Sequence, residues 1–321
     1  MPKLDRIRVD LLKREELPEA DRICRLAFGT FLGLPDPMVF MGDRQFIASR
    51  WRGKHVTALA ARHGGRLIGT SFLTRWGSFA FFGPLTVLPE FWDCGVAQAL
   101  LEATVARFDR EGLKRTALFT FPHSTKHVGL YRKFGYWPAY LTSLMRLELT
   151  PDLAPNENAP APFVHLSKLK KTAREEAIAA CRRLTNRLDK GLDLRGEMQS
   201  ILAQKIGDVL LNSTRATLDS FAICCHGDGS EGGAGLCYVK FAAARAGAGA
   251  GGRFDRLLDS IAAFAASRGV PVETGVNMAR EDAFRRMAAR GYKTFAQGVA
   301  MQRPHVPGYN RADAYVLDDW R

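Results

Sequence analysis

The sequence lacks any apolar run long enough to cross a bilayer, and its cysteines lack the spacing of a metal site. No stretch reaches the roughly 18 apolar residues of a membrane helix, and the N-terminus has no apolar signal-peptide core. Six cysteines are scattered without a C-x-x-C pair. We therefore expect a cytoplasmic protein with reduced thiols, no metal and no membrane partner.

Length and charge set broad limits on the organisation and the partners of the chain. At 321 residues it is long enough for two domains, each with its own core. The net charge of +13 is spread over both halves and can favour an anionic ligand such as a nucleotide, although such an excess also occurs without any partner. No stripe of alternating basic and aromatic residues is present, so a nucleic-acid partner is not favoured. We expect a monomer or a homodimer.

Hydrophobic periodicity predicts a mixed α/β layer in the first half of the chain. Apolar residues at helical spacing alternate with short runs of β-branched and aromatic residues. A crossover helix falls where the sheet turns parallel. The pattern predicts strands at 7–12, 56–62, 67–74, 79–87, 116–121 and 136–149, and helices at 17–31, 41–50, 95–112 and 124–134.

The second half repeats this plan after a proline-rich linker. Gly95, the Leu100-Leu101 pair and Gly112 recur as Gly252, Leu257-Leu258 and Gly269 at a constant offset. The repeat predicts a helix at 253–268, a strand at 272–277, a helix at 281–290 and a strand at 295–301. We therefore predict domains at 1–150 and 163–303, a linker at 151–162, and a tail at 304–321 laid across the surface.

The segment Gly83–Leu101 is the part of the chain on which the functional interpretation depends. A buried strand ends at Pro89, and a helix opens at Gly95 after a short turn. Unpaired N–H groups at such a helix start, together with the helix dipole, suit a phosphate or pyrophosphate. The same pattern also fits a tight structural connection.

Two motifs carry a resemblance to a known family. Val87–Leu101, with VLPE followed by GVAQALL, resembles the acetyl-CoA motif of the GNAT superfamily of N-acetyltransferases. Val128–Tyr136, VGLYRKFGY, resembles its second motif. The match covers about residues 5–149, and the internal repeat extends it to 163–303, as in tandem GNAT proteins such as mycothiol synthase. The resemblance implies two tandem GNAT domains, each a mixed, mostly antiparallel sheet flanked by helices.

This resemblance implies an acetyl-CoA-dependent N-acetyltransferase in which a primary amine attacks the thioester directly. Main-chain groups of Val87 and Leu88 would hold the pantetheine arm, and an N–H near Val87 would polarise the acetyl carbonyl. Tyr131 would be the general acid for the leaving thiolate. The amides of the following turn would bind the CoA pyrophosphate: Asp93, Cys94, Gly95, Val96, Ala97 and Gln98.

The chain departs from the family pattern in ways that leave the base open. The family usually has Arg or Gln at the position of Trp92, and Gly or a basic residue at the positions of Asp93 and Cys94. The negative charge of Asp93 opposes pyrophosphate binding unless its side chain turns outward. The strand Phe79–Leu88 carries no carboxylate to act as base. We therefore expect His123 to be the base, with His127 as the alternative on the Tyr131 face of the helix.

The second copy has lost parts of this pattern. Met287 stands where Tyr131 does in the first copy, and the glycine-rich run 245–253 precedes its helix. We expect a degenerate copy that shapes the acceptor site, while an active C-terminal copy remains an alternative. A non-catalytic acyl-CoA-binding or sensor protein is the second alternative. We expect the acceptor to be a small-molecule or peptide amine. The loops that would select it carry no recognisable motif, so the sequence does not specify the acceptor further.

Overall fold

A computed structural model describes residues 6–148, 163–215 and 217–321, and the predicted linker at 151–162 lies outside these ranges. In the first half, strands and helices alternate much as the periodicity predicts. The strands are β1 (Arg8–Leu11), β2 (Val56–His63), β3 (Arg66–Trp76), β4 (Phe79–Val87), β5 (Arg115–Thr120) and β6 (Trp137–Leu147). The helices are α1 (Leu17–Phe31), α2 (Ile47–Trp51), α3 (Val96–Arg110) and α4 (Thr125–Lys133).

The second half follows the same order of elements and ends in one further short strand. Its strands are β7 (Val164–His165), β8 (Gly207–Thr214), β9 (Thr217–Gly227), β10 (Gly233–Ala244), β11 (Val272–Asn277), β12 (Lys293–Arg303) and β13 (Val316–Leu317). Its helices are α5 (Lys171–Leu188), α6 (Arg195–Gln204), α7 (Ala250–Ala266) and α8 (Glu281–Ala289).

Both halves contribute to one continuous sheet in which they exchange strands. The order is β1-β2-β3-β4-β5-β12-β6-β11-β10-β9-β8-β7, with β13 paired to β10. The last strand of the second half, β12, therefore lies between β5 and β6 of the first half. In return β6 pairs with β11. The predicted mixed α/β sheet is confirmed, but it forms one continuous sheet where one sheet per half was expected.

Close packing of α3 on the sheet depends on a strand glycine. Gly69 of β3 lies under the helix, and a Cβ built there would be 2.7 Å from the carbonyl oxygen of Thr86 and 3.3 Å from the side chains of Val96 and Leu100. Val96 and Leu100 are the first buried residues of the apolar face of α3. Glycine at this position therefore lets the start of α3 lie close to β4, where the candidate site is found.

Two sequence predictions are wrong, one for the helix at 41–50 and one for the tail. The helix predicted at 41–50 begins only at Ile47, because the Arg25 guanidinium takes the carbonyls of Phe40 (2.7 Å), Gly42 (2.8 Å) and Arg44 (3.2 Å), which helical N–H groups would otherwise use. The tail at 304–321 lies on the surface only in part, since residues 304–307 are exposed. Five apolar residues further along are buried between the two halves: Tyr309, Ala314, Val316, Leu317 and Trp320.

Candidate active site

A cleft opens where β4 and β5 diverge. The two strands pair in parallel only from Phe79–Phe81 to Arg115–Ala117. Beyond Phe81 a bulge at Gly83–Pro84 interrupts the pairing of β4 with β3, and the two parallel strands separate. The gap belongs to a cavity of about 1060 Å³ that is lined by β4, β5, α1, α3 and α4.

The main chain of Val87, unlike that of Leu88, is directed into this cleft. Leu88 N–H donates to the Ile68 carbonyl at 2.9 Å, and the Leu88 carbonyl accepts from Phe91 N–H at 2.9 Å. Because hydrogen-bonded pairs alternate in an antiparallel ladder, the next residue, Val87, presents its N–H and carbonyl away from β3. The indole N–H of Trp92 donates to the Val87 carbonyl at 2.8 Å.

The turn before α3 presents the amide groups at the helix start to the cavity. Asp93 and Gly95 both have positive φ angles, 64° and 88°, which bend the chain sharply into the helix. Asp93, Gly95, Val96, Ala97 and Gln98 line the cavity, whereas Cys94 is buried behind the turn. The turn therefore has the geometry of an anion site.

The charge of Asp93 is compensated by a residue that the sequence analysis missed. Its carboxylate turns outward and pairs with Lys126 of α4 at 2.6 Å, with both side chains more than half exposed. Lys126 also lines the cavity, so the mouth of the cleft carries a cation next to the helix start. The sequence could have indicated Lys126 through its position in the first turn of α4, directly after the Ser124 cap.

Tyr131 is buried in the cavity wall, with its hydroxyl close to that of Thr120. It is 8% exposed, and its ring packs edge-on against Phe82 with centroids 5.8 Å apart. Burial raises the pKa of Tyr131 to about 12, although the Thr120 hydroxyl acts in the opposite direction. The phenol is therefore fully protonated at neutral pH and can donate a hydrogen bond into the cleft.

The two candidate bases are in different places. His123 is exposed and does not line the cavity; its ring stacks on Phe31 with centroids 5.9 Å apart. His127 does line the cavity and lies 5.0 Å from Phe31. Burial lowers the pKa of His127, and the charges of Lys126 and His123 lower it further, so the imidazole is neutral at pH 7.

The rest of the cavity wall is largely aromatic and includes residues from distant parts of the chain. Phe28 and Phe31 of α1 line the cavity, although the sequence predicted no more than a helix at 17–31. The C-terminal part of the chain adds Trp320 and Arg321 from the tail. Nine of the 20 phenylalanines line the cavity: Phe28, Phe31, Phe40, Phe46, Phe82, Phe91, Phe119, Phe121 and Phe295.

The matching cleft of the second half is filled by the tail. Strands β10 and β11 pair in parallel only over Cys237–Val239 and Val272–Thr274, and then diverge as β4 and β5 do. Strand β13 pairs with Ala242 and Ala243 of β10. From the same tail, Asp318 N–H donates to the Gly275 carbonyl of β11 at 3.0 Å. The tail therefore occupies the gap that is open in the first half.

The loop before α7 is also closed. The Arg253 guanidinium folds back and donates to four consecutive carbonyls, those of residues 245–248, at 2.9–3.2 Å. The loop thus turns carbonyl oxygens towards a cation of its own chain, which is the opposite of an anion site. Met287, at the position of Tyr131, is fully buried and has no proton to donate.

Two further observations concern only the residues that the structure describes. None of their helices is long and apolar enough to cross a membrane. They contain no group of three or more His, Cys, Asp or Glu side chains that could hold a metal ion.

The fold of the whole chain is shared with solved structures at low sequence identity. A proposed acetyltransferase from Pyrococcus horikoshii is 13% identical with a TM-score of 0.68, over 96% of this chain and 93% of that one. A GCN5-related N-acetyltransferase from Sphaerobacter thermophilus is 14% identical with a TM-score of 0.59, over 94% and 96%. At these identities the likeness is one of fold.

Sequence comparison covers a smaller part of the chain. No curated protein matches it at a significant level. The family model described as "Acetyltransferase (GNAT) family" matches residues 22–136, which include β4, the turn before α3, and Tyr131. Residues 22–136 of the chain are therefore similar in sequence to the acetyltransferase (GNAT) family.

Proposed function

We propose that the chain is an acetyl-CoA-dependent N-acetyltransferase that acts on a primary amine in the cleft between β4 and β5. The observation that carries this proposal is the convergence of three features on one cavity. They are the main-chain N–H of Val87, which faces away from β3, the amide turn at 93–98, and the protonated phenol of Tyr131.

The cavity fits an acyl-CoA in shape as well as in charge. Gly129 of α4 lines the cavity, and a Cβ built there meets no atom within 4 Å. A helical glycine with open space before it leaves room for a ligand against the backbone of α4. Lys126 and the start of α3 would hold the phosphates, while the Val87 edge would hold the pantetheine amides by adding to β4 as a strand does.

The reaction divides among three residues of the cavity. Bound acetyl-CoA supplies a thioester whose carbonyl carbon the amine attacks directly, without an acyl-enzyme intermediate. The Val87 N–H would donate to the carbonyl oxygen as negative charge develops there. His127 would take the proton that the amine nitrogen loses, directly or through water. Tyr131 would donate its proton to the sulfur as the C–S bond breaks.

We assign the base to His127 in preference to His123. His127 lines the same cavity as Tyr131, one helical turn away on α4, whereas the imidazole of His123 is exposed. Its lowered pKa keeps it unprotonated at neutral pH, as a base must be before it acts. We likewise assign the reaction to the first half, since the second cleft holds the tail and Met287 replaces the acid.

A pair of glycine variants tests the cofactor site. We expect Gly129→Leu to fill the space against α4 and to weaken acetyl-CoA binding at least roughly 30-fold by calorimetric titration. Because leucine has a higher helix propensity than glycine, this loss would not come from unfolding of α4. The control is Gly252→Leu, an exposed glycine of α7 that also faces open space and lies in the second half. Equal binding by both variants would contradict the assigned site.

A pair of tyrosine variants separates an enzyme from an acyl-CoA sensor. We expect Tyr131→Phe to lower kcat for CoA release by roughly 100-fold, the usual range for loss of a general acid, with acetyl-CoA affinity unchanged. Tyr136→Phe is the control, because Tyr136 is equally buried but bonds Thr116 at 2.9 Å outside the cavity. Acetyl-CoA binding without turnover of any amine would support the sensor.

A further inference from the structure

From the walls of the cavity we infer that the acceptor is an aromatic or similarly weakly basic amine, one that is uncharged at neutral pH. This inference rests on the N-acetyltransferase function proposed above and names the substrate class of that site. Three features of the cavity lead to it: an aromatic wall, the absence of an unpaired acidic side chain among the described lining residues, and a base to which an alkylammonium ion transfers its proton only unfavourably.

The aromatic wall joins α1, the loop after it and the end of β5. Phe28 and Phe40 stack with their planes 16° apart and centroids 5.1 Å apart. Phe31 packs on Phe121 at 5.0 Å and on His127 at 5.0 Å. These rings are half-buried and turn their remaining surface to the cavity. A flat aromatic acceptor laid on this wall would bring its nitrogen close to His127.

The wall is held in place by buried polar contacts. Arg25 donates to the carbonyls of Phe40, Gly42 and Arg44, and its guanidinium also pairs with Asp21 at 2.7 Å. The segment that carries Phe40, which includes a short 3-10 helix at Pro37–Val39, is thus fixed to α1. A preformed wall selects ligands by shape, since little ordering is needed when they bind.

The charges of the lining disfavour a cationic acceptor. Among the described lining residues Asp93 is the only one with an acidic side chain, and it is paired with Lys126. The other charged side chains of the lining are those of Lys133 and Arg321, both positive, and Arg321 is itself paired with Glu273 at 3.0 Å. No unpaired acidic side chain remains in the described part of this lining to bind an ammonium ion and orient it for attack.

The candidate base agrees with a neutral acceptor. His127 has a lowered pKa because of its burial, and the titratable groups that affect it, Lys126 and His123, lower it further. Proton transfer to it from an alkylammonium ion, whose pKa is near that of lysine at about 10.4, would be unfavourable by roughly 10,000-fold. An amine that is already neutral needs no base until it has bonded to the carbonyl carbon and become acidic.

Matched acceptor pairs test this inference. With acetyl-CoA saturating, we would compare aniline with benzylamine, and 4-aminobenzoate with 4-(aminomethyl)benzoate, by the rate of CoA release from pH 7 to 9. We expect kcat/KM at pH 7 to be at least about 100-fold higher for the aryl member and to change little with pH. For the alkyl member it should rise about 100-fold by pH 9, with its neutral fraction. Equal kcat/KM for the two members at pH 7 would overturn the inference.

A variant of the wall connects this selectivity to the structure. Phe31→Leu should lower kcat/KM for the aryl amine about 10-fold, mainly through KM, and leave the affinity for acetyl-CoA unchanged. Phe163→Leu, the same change against Phe264 in the second half, should alter neither. A preference for longer acyl-CoA without aryl selectivity would assign the wall to the acyl chain and refute the inference. Absence of acetyl-CoA binding by the wild type would instead refute the proposed function on which it rests.

Discussion

The prediction with the largest expected effect concerns buried charges between the two halves. Glu231, in the turn between β9 and β10, accepts two hydrogen bonds from Arg50 of α2, at 2.9 and 2.8 Å. It also pairs with Lys240 of β10. All three side chains are at most 5% exposed. Arg50 further donates to the Gly83 carbonyl at 2.7 Å, at the bulge where the cleft begins.

Replacing Glu231 by glutamine leaves two buried cations with one carboxylate. Lys240 would keep Glu197 at 3.2 Å, but Arg50 would lose both of its charged hydrogen bonds. Removing one member of a buried ion pair costs about 3–5 kcal/mol, because the remaining charge stays desolvated without compensation. We therefore expect Glu231→Gln to lower the free energy of unfolding by about that amount.

Urea unfolding of matched variants measures this effect. Glu281→Gln removes the same charge from an exposed pair with Arg285 and should cost less than about 1 kcal/mol. The double variant Arg50→Met with Glu231→Leu removes both charges of the pair and should lose less stability than Glu231→Gln alone. A loss below about 1 kcal/mol for Glu231→Gln, or a double variant less stable than the single one, would refute the reasoning.

Two further predictions concern charge at the cleft and the effect of acid. Asp93→Asn should strengthen acetyl-CoA binding roughly 3-fold at low salt, because it frees Lys126 from its ion pair. The control is Glu90→Gln, which removes an exposed partner of Arg66 and should leave binding unchanged. Weaker binding by Asp93→Asn would contradict this prediction. Burial raises the pKa of Glu231, but the charges of Arg50 and Lys240 more than offset this and lower it. A carboxylate whose pKa is lower in the folded protein than in the unfolded chain stabilises the fold at pH values above its unfolded pKa of about 4.3. The urea midpoint should therefore fall steeply below about pH 4, and it should fall less steeply for Glu231→Gln.

Elements with strong local periodicity were predictable from the sequence. Helix α1 (Leu17–Phe31) and strand β11 (Val272–Asn277) have the bounds that the pattern predicts. The helix predicted at 41–50 is wrong because Arg25 binds carbonyls that lie 15 to 19 residues further along the chain. Contacts over such separations leave no mark on hydrophobic periodicity.

The strand exchange could not be predicted from local pattern. Periodicity identifies β12 as a strand but does not specify its neighbours, since an alternating strand fits any partner of matching register. In the fold β12 pairs with β5 and β6, so its partners lie in the other half of the chain. The repeat predicted two similar halves with one sheet each, and local pattern gave no information on pairing between them.

The candidate site was predictable in part. Strand β4, the turn at 93–98 and Tyr131 line one cavity as the motifs predict, because motif spacing encodes a strand–turn–helix unit. His123 does not line the cavity, because a residue after the end of a strand points into a cleft only if the following turn directs it there. Trp320 of the tail reaches the cavity through tertiary packing, for which the sequence offered no signal.

The strand exchange gives the second half a structural role that its own closed cleft does not provide. Strand β12 pairs with β5, the strand whose separation from β4 forms the cleft, and Phe295, Ala296 and Gln297 at its start line the cavity. Beyond β13 the tail continues to Trp320 and Arg321 in the same wall. The segment that closes the second cleft therefore helps to build the first. The second half therefore completes the wall of the first cleft with its strands and tail, while the same tail closes its own cleft.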